Sequence, residues 1–189
     1  MKAVKFYISI FLTLFFVLSI YSQEEQKLEE EKGSFHRIGL NLSHTNVFSG
    51  VKDQENKLLS LPSWGIDYDF WFSEKWAIGL HTDILIEKYT VEENLDSQNK
   101  ILERNKPIAP AVMGTYHFGR HNILFGAGAE FAEEENLFLN RVGYEYGIEF
   151  LEKWELGFSI NYDFRWNAYD SFSIGIEISR IFRNKSSEK

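Results

Sequence analysis

The chain has 189 residues with 20 basic and 28 acidic side chains, a formal charge of −8, and no cysteine. That balance makes nucleic acid and anionic lipid headgroups poor partners for the protein taken as a whole. The missing thiols exclude disulfides and a lipid-modified cysteine, so an exported domain must be held by its own packing or by a membrane.

Residues 1–22 read as a secretory signal peptide. Lys2 and Lys5 supply a positive start, Phe6–Ile20 is an apolar run interrupted by Ser9, Thr13 and Ser19, and Ser22 is a small residue ahead of Gln23. An uncleaved anchor needs about 20 apolar residues to cross the hydrocarbon, so cleavage is expected. Residues 23–34 open with QEEQKLEEEKG. Such a charge-dense, aromatic-free segment cannot bury enough apolar surface to order itself, and it is expected to be a flexible acidic leader. The rest of the chain has the length of one domain.

From Phe35 onward the dominant period is two. Eight strands are expected, at Arg37–Phe48, Trp64–Phe72, Trp76–Glu87, Ala111–Phe118, Ile123–Phe131, Val142–Phe150, Trp154–Trp166 and Phe172–Ser179, with no helical stripe among them. In WGIDYDFWF, for example, Trp64, Ile66, Tyr68, Phe70 and Phe72 share one face, and Gly65, Asp67, Asp69 and Trp71 the other. Short turns at Ser73–Lys75, Gly119–Asn122 and Leu151–Lys153 alternate with longer connections at Ser49–Ser60, Val91–Arg104 and Ala132–Asn136, and a compact one at Asn167–Asp170. Tight turns at one end and longer loops at the other describe an up-and-down meander.

One phrase occurs twice: FSEKWAIGL at Phe72–Leu80 returns as FLEKWELGF at Phe150–Phe158. Each copy is a tight turn between an outward Phe and an outward Trp. With Phe118 and Phe182 they collect Phe72, Trp76, Phe150 and Trp154 at one rim, as in the aromatic girdle where a membrane meets water. Internal duplication and two turns meeting the same demand at one rim both account for the repeat.

Nine of the 13 glycines (Gly39, Gly65, Gly79, Gly126, Gly128, Gly143, Gly147, Gly157 and Gly175) fall on the face opposite the apolar one. Glycine weakens a strand, and a narrow, strongly curved barrel with little inner room gives it a reason to be there. The same inner face carries a polar network of Arg37, Asp67, Asp69, His81, Asp83, His117, Glu130, Arg141, Glu145, Asp163, Arg165 and Glu177, together with Asn41, Glu87, Asn161 and, near a turn, Glu149 and Glu155. A soluble lipocalin-like barrel would point its apolar face inward. The inverted arrangement predicts an all-β, eight-stranded, antiparallel up-and-down transmembrane β-barrel with a polar, filled lumen, spanning 35–182, with 183–189 a polar tail.

On these residues the chain resembles the small eight-stranded outer-membrane β-barrels, the OmpX-like, OmpA-transmembrane-like and porin-family proteins. The resemblance implies a Gram-negative outer-membrane address and contact with membrane lipid. SIGIEISRIF at Ser173–Phe182 is similar to the assembly signal by which the insertion machinery recognises such barrels through their last strand. Ser173, Gly175 and Ile178 fit that pattern; Arg180 stands where its aromatic belongs, with Phe182 two residues late.

Pro107 and Pro110 are out of place in a paired strand, so regular pairing is expected to begin near Ala111 after a bulge or loop. Three inner arginines cannot neutralise ten inner acids, a load that water and histidines must share. Some barrels of this size resemble lipid A-modifying enzymes, and Ser43, His44 and Thr45 are adjacent. Strand neighbours point to opposite faces, however, so Ser43 and His44 cannot easily meet. His81, Asp83 and His117 share the inner face, where a metal or a self-satisfied network would both fit. No catalytic, metal or cofactor assignment is made. Eight strands leave no aqueous channel, so a non-enzymatic structural or interaction role through the long loops is expected, with a lipid-acting enzyme as the alternative.

Overall fold

The computed structural model describes residues 33–52, 55–93, 100–151, 153–166 and 168–183. The expected signal peptide, all of the leader before Gly33 and the tail beyond Arg183 lie outside them. The described chain forms ten strands: β1 (Phe35–Lys52), β2 (Glu55–Trp71), β3 (Trp76–Leu85), β4 (Lys88–Glu93), β5 (Lys100–Asn105), β6 (Ile108–Phe118), β7 (His121–Glu130), β8 (Leu137–Leu151), β9 (Trp154–Arg165) and β10 (Asp170–Arg183). Eight of them close into a barrel in the order β1-β2-β3-β6-β7-β8-β9-β10, and β10 returns to β1 from Phe35↔Arg183 to Val47↔Ser171. Every neighbouring pair in the wall is antiparallel.

The strands follow from strict alternation of side-chain character, because successive Cβ atoms leave a strand on opposite faces. In β3 Ala77, Gly79, His81 and Leu85 point inward while Trp76, Ile78 and Leu80 point out. In β10 Ser171, Gly175, Glu177, Ser179 and Ile181 point inward while Ile174, Ile176, Ile178 and Phe182 are exposed. A one-residue slip would reverse the two faces, so the pattern itself holds the register. At one end the turns are tight; Gly119 adopts the left-handed conformation (φ 64°) in the two-residue link between β6 and β7.

The inner glycines act through space rather than flexibility. The position of a Gly39 side chain is occupied by the Glu177 carboxylate, and that of Gly143 by Asn161. Gly126 and Gly128 instead face the backbone carbonyls of Val112 and Pro110 on β6. Ala111 and Met113 occupy the lumen on the same strand.

Three expectations are corrected. The first concerns strand extent: Ser49–Ser60 is mostly strand, because β1 and β2 run on beyond the barrel as a ribbon, with a bulge between Val47 and Gly50. The second concerns Pro110, which lies inside β6. Pairing with β3 runs through Pro110↔Thr82 to Ile108↔Ile84. Toward β7 the ladder stops at Ala111↔Gly128 and resumes in the same register at Ile108↔Phe131. Ile108 donates to Phe131 at 3.0 Å, and Pro110, two residues on, faces the same way without an N–H. The proline therefore costs one ladder bond rather than the start of the strand. The third concerns Val91–Arg104, expected as a loop: it contains β5 and much of a β-hairpin with β4, paired from Lys88↔Asn105 to Glu93↔Lys100.

That hairpin decides what happens at the loop end. It leaves the wall after β3, turns back into β6 through Lys106 (φ 46°) and Pro107, and reaches β1, where Gly50 pairs with Val91 above the end of the β1–β10 ladder. It is thus folded across the mouth. Tyr89, Val91 and Leu102 of the hairpin and Val47, Leu61, Leu85, Leu137, Ala168 and Tyr169 bury one another there.

Candidate functional site

The lumen is organised as three arginine-centred layers. Nearest the turns, Arg37 of β1 is held by Asp69 at 2.9 Å, Glu145 at 2.7 Å and Glu155 at 2.7 Å. Asp69 also contacts His81 Nε2 at 2.9 Å, and Asn122 donates to Glu145 at 2.8 Å. Below this layer Trp71 is buried, stacked on Phe35 at 5.5 Å and edge-on to His117 at 5.6 Å. Ser179 donates to Glu177 in the same lower half. Asp67 lies 3.6 Å from His81 Nδ1.

In the middle layer Arg141 grips Asp163 through two hydrogen bonds of 2.6 and 2.8 Å and reaches Asp83 at 2.6 Å. The fork geometry of guanidinium suits a carboxylate, which explains why arginine rather than lysine fills these positions. The top layer joins wall to lid. Glu130, at the end of β7, accepts from Arg165 at 2.5 Å, from Arg104 Nε at 2.8 Å, and from the Tyr169 hydroxyl at 2.7 Å. Tyr169 has one proton and gives it to Glu130, so in its 2.6 Å contact with Tyr89 it accepts.

Tyr89 and Arg104 belong to the lid, beyond the wall strands. Burial, with the Glu130 charge adding to it, pushes the Tyr89 hydroxyl well above its ordinary range, so it stays a donor. Burial works against the Arg104 charge, but Glu130 outweighs it and holds that pKa above normal. Arg104 also donates to the Glu135 carbonyl at 2.6 Å, and Glu134 accepts from the Glu103 N–H at 2.7 Å. The β7–β8 connection thereby caps the free edge of β5.

The structure places Arg37, Asp67, Asp69, His81, Asp83, His117, Glu130, Arg141, Glu145, Asp163, Arg165 and Glu177 on the inner side of the wall. Glu87 is exposed in the link after β3 and does not belong there. Among the described residues the inner arginines number four rather than three, because β5 delivers Arg104, which is fully buried. His117 bonds Asn122 at 2.7 Å, while His81 sits between Asp67 and Asp69, so His81, Asp83 and His117, weighed above as a metal cluster or a self-satisfied network, each take other partners. Among the described residues no group of three or more His, Asp or Glu side chains is arranged to hold a metal ion. Ser43 bonds Ser63 at 2.8 Å, while His44 lies on the outer face.

The outer face is bounded by two aromatic bands. At the turn end are Phe72, Trp76, Phe118, Phe150 and Phe182, all exposed, with the half-exposed Trp154. Trp76 packs on Tyr116 at 4.8 Å and Phe118 on His121 at 5.1 Å. The second band, at the loop end, goes beyond the rim expected from the turns: Phe48 meets Phe172 at 5.7 Å, and Trp166 meets Phe138 at 5.9 Å and Phe164 at 6.4 Å. Its signal in the sequence is the outward phase of Phe138, Phe164, Trp166 and Phe172. Between the bands the wall shows Leu40, Leu42, Ile78, Leu80, Val112, Val142, Ile160, Ile174 and Ile176 to the outside.

No family model matches the chain, and no curated protein matches it in sequence. Solved structures share its fold. The attachment invasion locus protein Ail of Yersinia pestis, in complex with the heparin analogue sucrose octasulfate, superposes with a TM-score of 0.51 at 10% identity, covering 79% of this chain and 99% of that one. Outer membrane protein AlkL in DMPC bilayers gives 0.52 at 10% identity, covering 86% and 97%. Neisserial surface protein A gives 0.50 at 9% identity, covering 78% and 98%. Closure of eight strands around a polar lumen is thus the architecture of the small outer-membrane β-barrels, and this chain has that fold.

Proposed function

We propose that the protein is an integral outer-membrane barrel of a Gram-negative cell, exported by a cleaved signal peptide, with a non-enzymatic structural or interaction role and no open pore. One observation carries the reading: an apolar outer wall framed by two aromatic bands. Trp154 and Phe164 mark the bands on β9, and Phe172 and Phe182 on β10, ten residues apart in each strand. A transmembrane strand needs about 9–11 residues. Exposed aliphatic side chains between two aromatic rims are costly in water and favourable in lipid.

The filled interior supports the rest. Trp71 fills the turn end, the β4–β5 lid covers the loop end, and ion-paired arginines occupy the space between. Placing Ser43 inward and His44 outward argues against a hydrolase. The loop end, where the lid and the β7–β8 connection meet, is the surface for a protein or cell-surface partner. Glu133 and Glu134 lie on it, and its exposed Lys88 is already paired with Glu103 at 2.5 Å, so the octasulfate bound by Ail is a poor guide to its ligand. The last strand, β10, is the segment offered to the insertion machinery.

Fractionation and bilayer recording test the proposal. The protein is expected with the outer membrane, migrating faster unboiled than boiled in detergent gels, and without conductance in planar bilayers. Recovery as a soluble periplasmic protein would overturn the membrane reading, and steady single-channel steps would overturn the sealed lumen.

A further inference from the structure

Arg180 occupies the position where an aromatic was expected in the last strand. It lies on the outer wall of β10, opposite Trp154 of β9 and Ile38 of β1. Its guanidinium carbon is 5.5 Å from the Trp154 ring centroid and 5.3 Å from that of Phe182. The two rings therefore hold the guanidinium at the level of the turn-end aromatic band. Such a cation–ring contact uses the charge of the group without satisfying its N–H donors, which still call for an acceptor.

Among the described residues no carboxylate pairs with Arg180, whereas Arg183 has Glu149 at 3.8 Å and stacks on Phe35 at 5.6 Å. His36, opposite Phe182, is tied through Nδ1 to the Tyr68 hydroxyl at 2.8 Å. Cation and rings thus form one patch at the depth where a bilayer presents its phosphates.

We infer that Arg180 binds the phosphate of an anionic phospholipid in the leaflet at the turn end. Short turns mark the periplasmic side of such barrels, so the lipid there is a glycerophospholipid. A guanidinium matches two phosphate oxygens at once. The acidic chain as a whole repels anionic surfaces, so a preference for anionic lipid has to come from this local site. The inference rests on the membrane reading above.

The test compares purified barrel refolded into phosphatidylcholine vesicles with and without phosphatidylglycerol, reading the urea midpoint and the lipid retained in native mass spectra. Wild type is expected to gain stability with phosphatidylglycerol and to retain it severalfold over phosphatidylcholine. Arg180→Gln and Arg180→Phe should fold as well in phosphatidylcholine but lose both effects, Arg180→Lys should keep part, and Lys75→Gln in another turn should change neither. A wild-type response in Arg180→Gln overturns the inference. Inorganic phosphate giving the same increment in phosphatidylcholine vesicles overturns the choice of lipid. Failure of the wild type to insert into either vesicle overturns the membrane reading, and this inference with it.

Discussion

Tyr89 and Tyr169 meet hydroxyl to hydroxyl at 2.6 Å across the barrel mouth, their rings edge to face at 6.1 Å. One belongs to the lid, the other to the link between β9 and β10. Their contact fastens the hairpin to the far side of the wall and feeds directly into Glu130.

The two tyrosines should differ in cost. Tyr169→Phe removes a hydrogen bond to a buried carboxylate together with the one accepted from Tyr89 and is expected to destabilise by at least about 1.5–3 kcal/mol; Tyr89→Phe removes only the neutral one, about 0.5–1.5 kcal/mol. Urea unfolding in lipid vesicles measures both. Equal losses would mean that Tyr169 does not donate to Glu130.

Glu130 answers two buried arginines, Arg104 and Arg165. Glu130→Gln leaves both without their shared carboxylate and is expected to cost about 3–5 kcal/mol. Adding Arg104→Met should recover part of that loss, since one of the stranded charges is then gone. Strict additivity in the double-mutant cycle would deny that the lid and the wall are coupled through this pair.

The face assignment predicts position-dependent losses on the outer wall. Arginine at Leu80 or Ile160, between the aromatic bands, should cost about 2–4 kcal/mol, falling toward zero at positions near the rims. Refolding titrations in bilayers give the numbers. Harmless arginine at both sites would mean that the wall faces water.

Inner glycines should not be equivalent. A Cβ on Gly128 would strike the Pro110 carbonyl and the Ala111 backbone, which cannot step aside. Gly128→Ala is expected to cost at least about 1–3 kcal/mol. On Gly157 the nearest atoms belong to the Glu145 side chain at 3.2–3.4 Å, so Gly157→Ala should fall below about 1 kcal/mol at a site that yields slightly. Thermal or urea midpoints of the two variants decide it, and the reverse order would place the crowding elsewhere.

The period-two alternation by itself determined that the chain is a β-barrel, where its wall strands lie, and which side chains share the inner face with Asp69, Arg141 and Glu177. That information is local: each residue's face follows from its neighbours' parity, and exchanging the faces would expose charges to the apolar side. The turn-end rim was legible for the same reason, since Phe72–Trp76 and Phe150–Trp154 flank their turns in sequence. Only the tertiary structure decided which acid each arginine meets, because closure sets Arg37 against Glu145, which lies 108 residues away in the chain. It also decided the lid. The alternation of Leu102 and Arg104 is too brief to distinguish a loop from a strand, and Arg104 becomes a core residue only when the hairpin crosses the mouth and meets Glu130. Arg180 obeys the same logic: in the sequence it is a departure from an aromatic pattern, and only the pairing of β10 with β9 brings Trp154 against it.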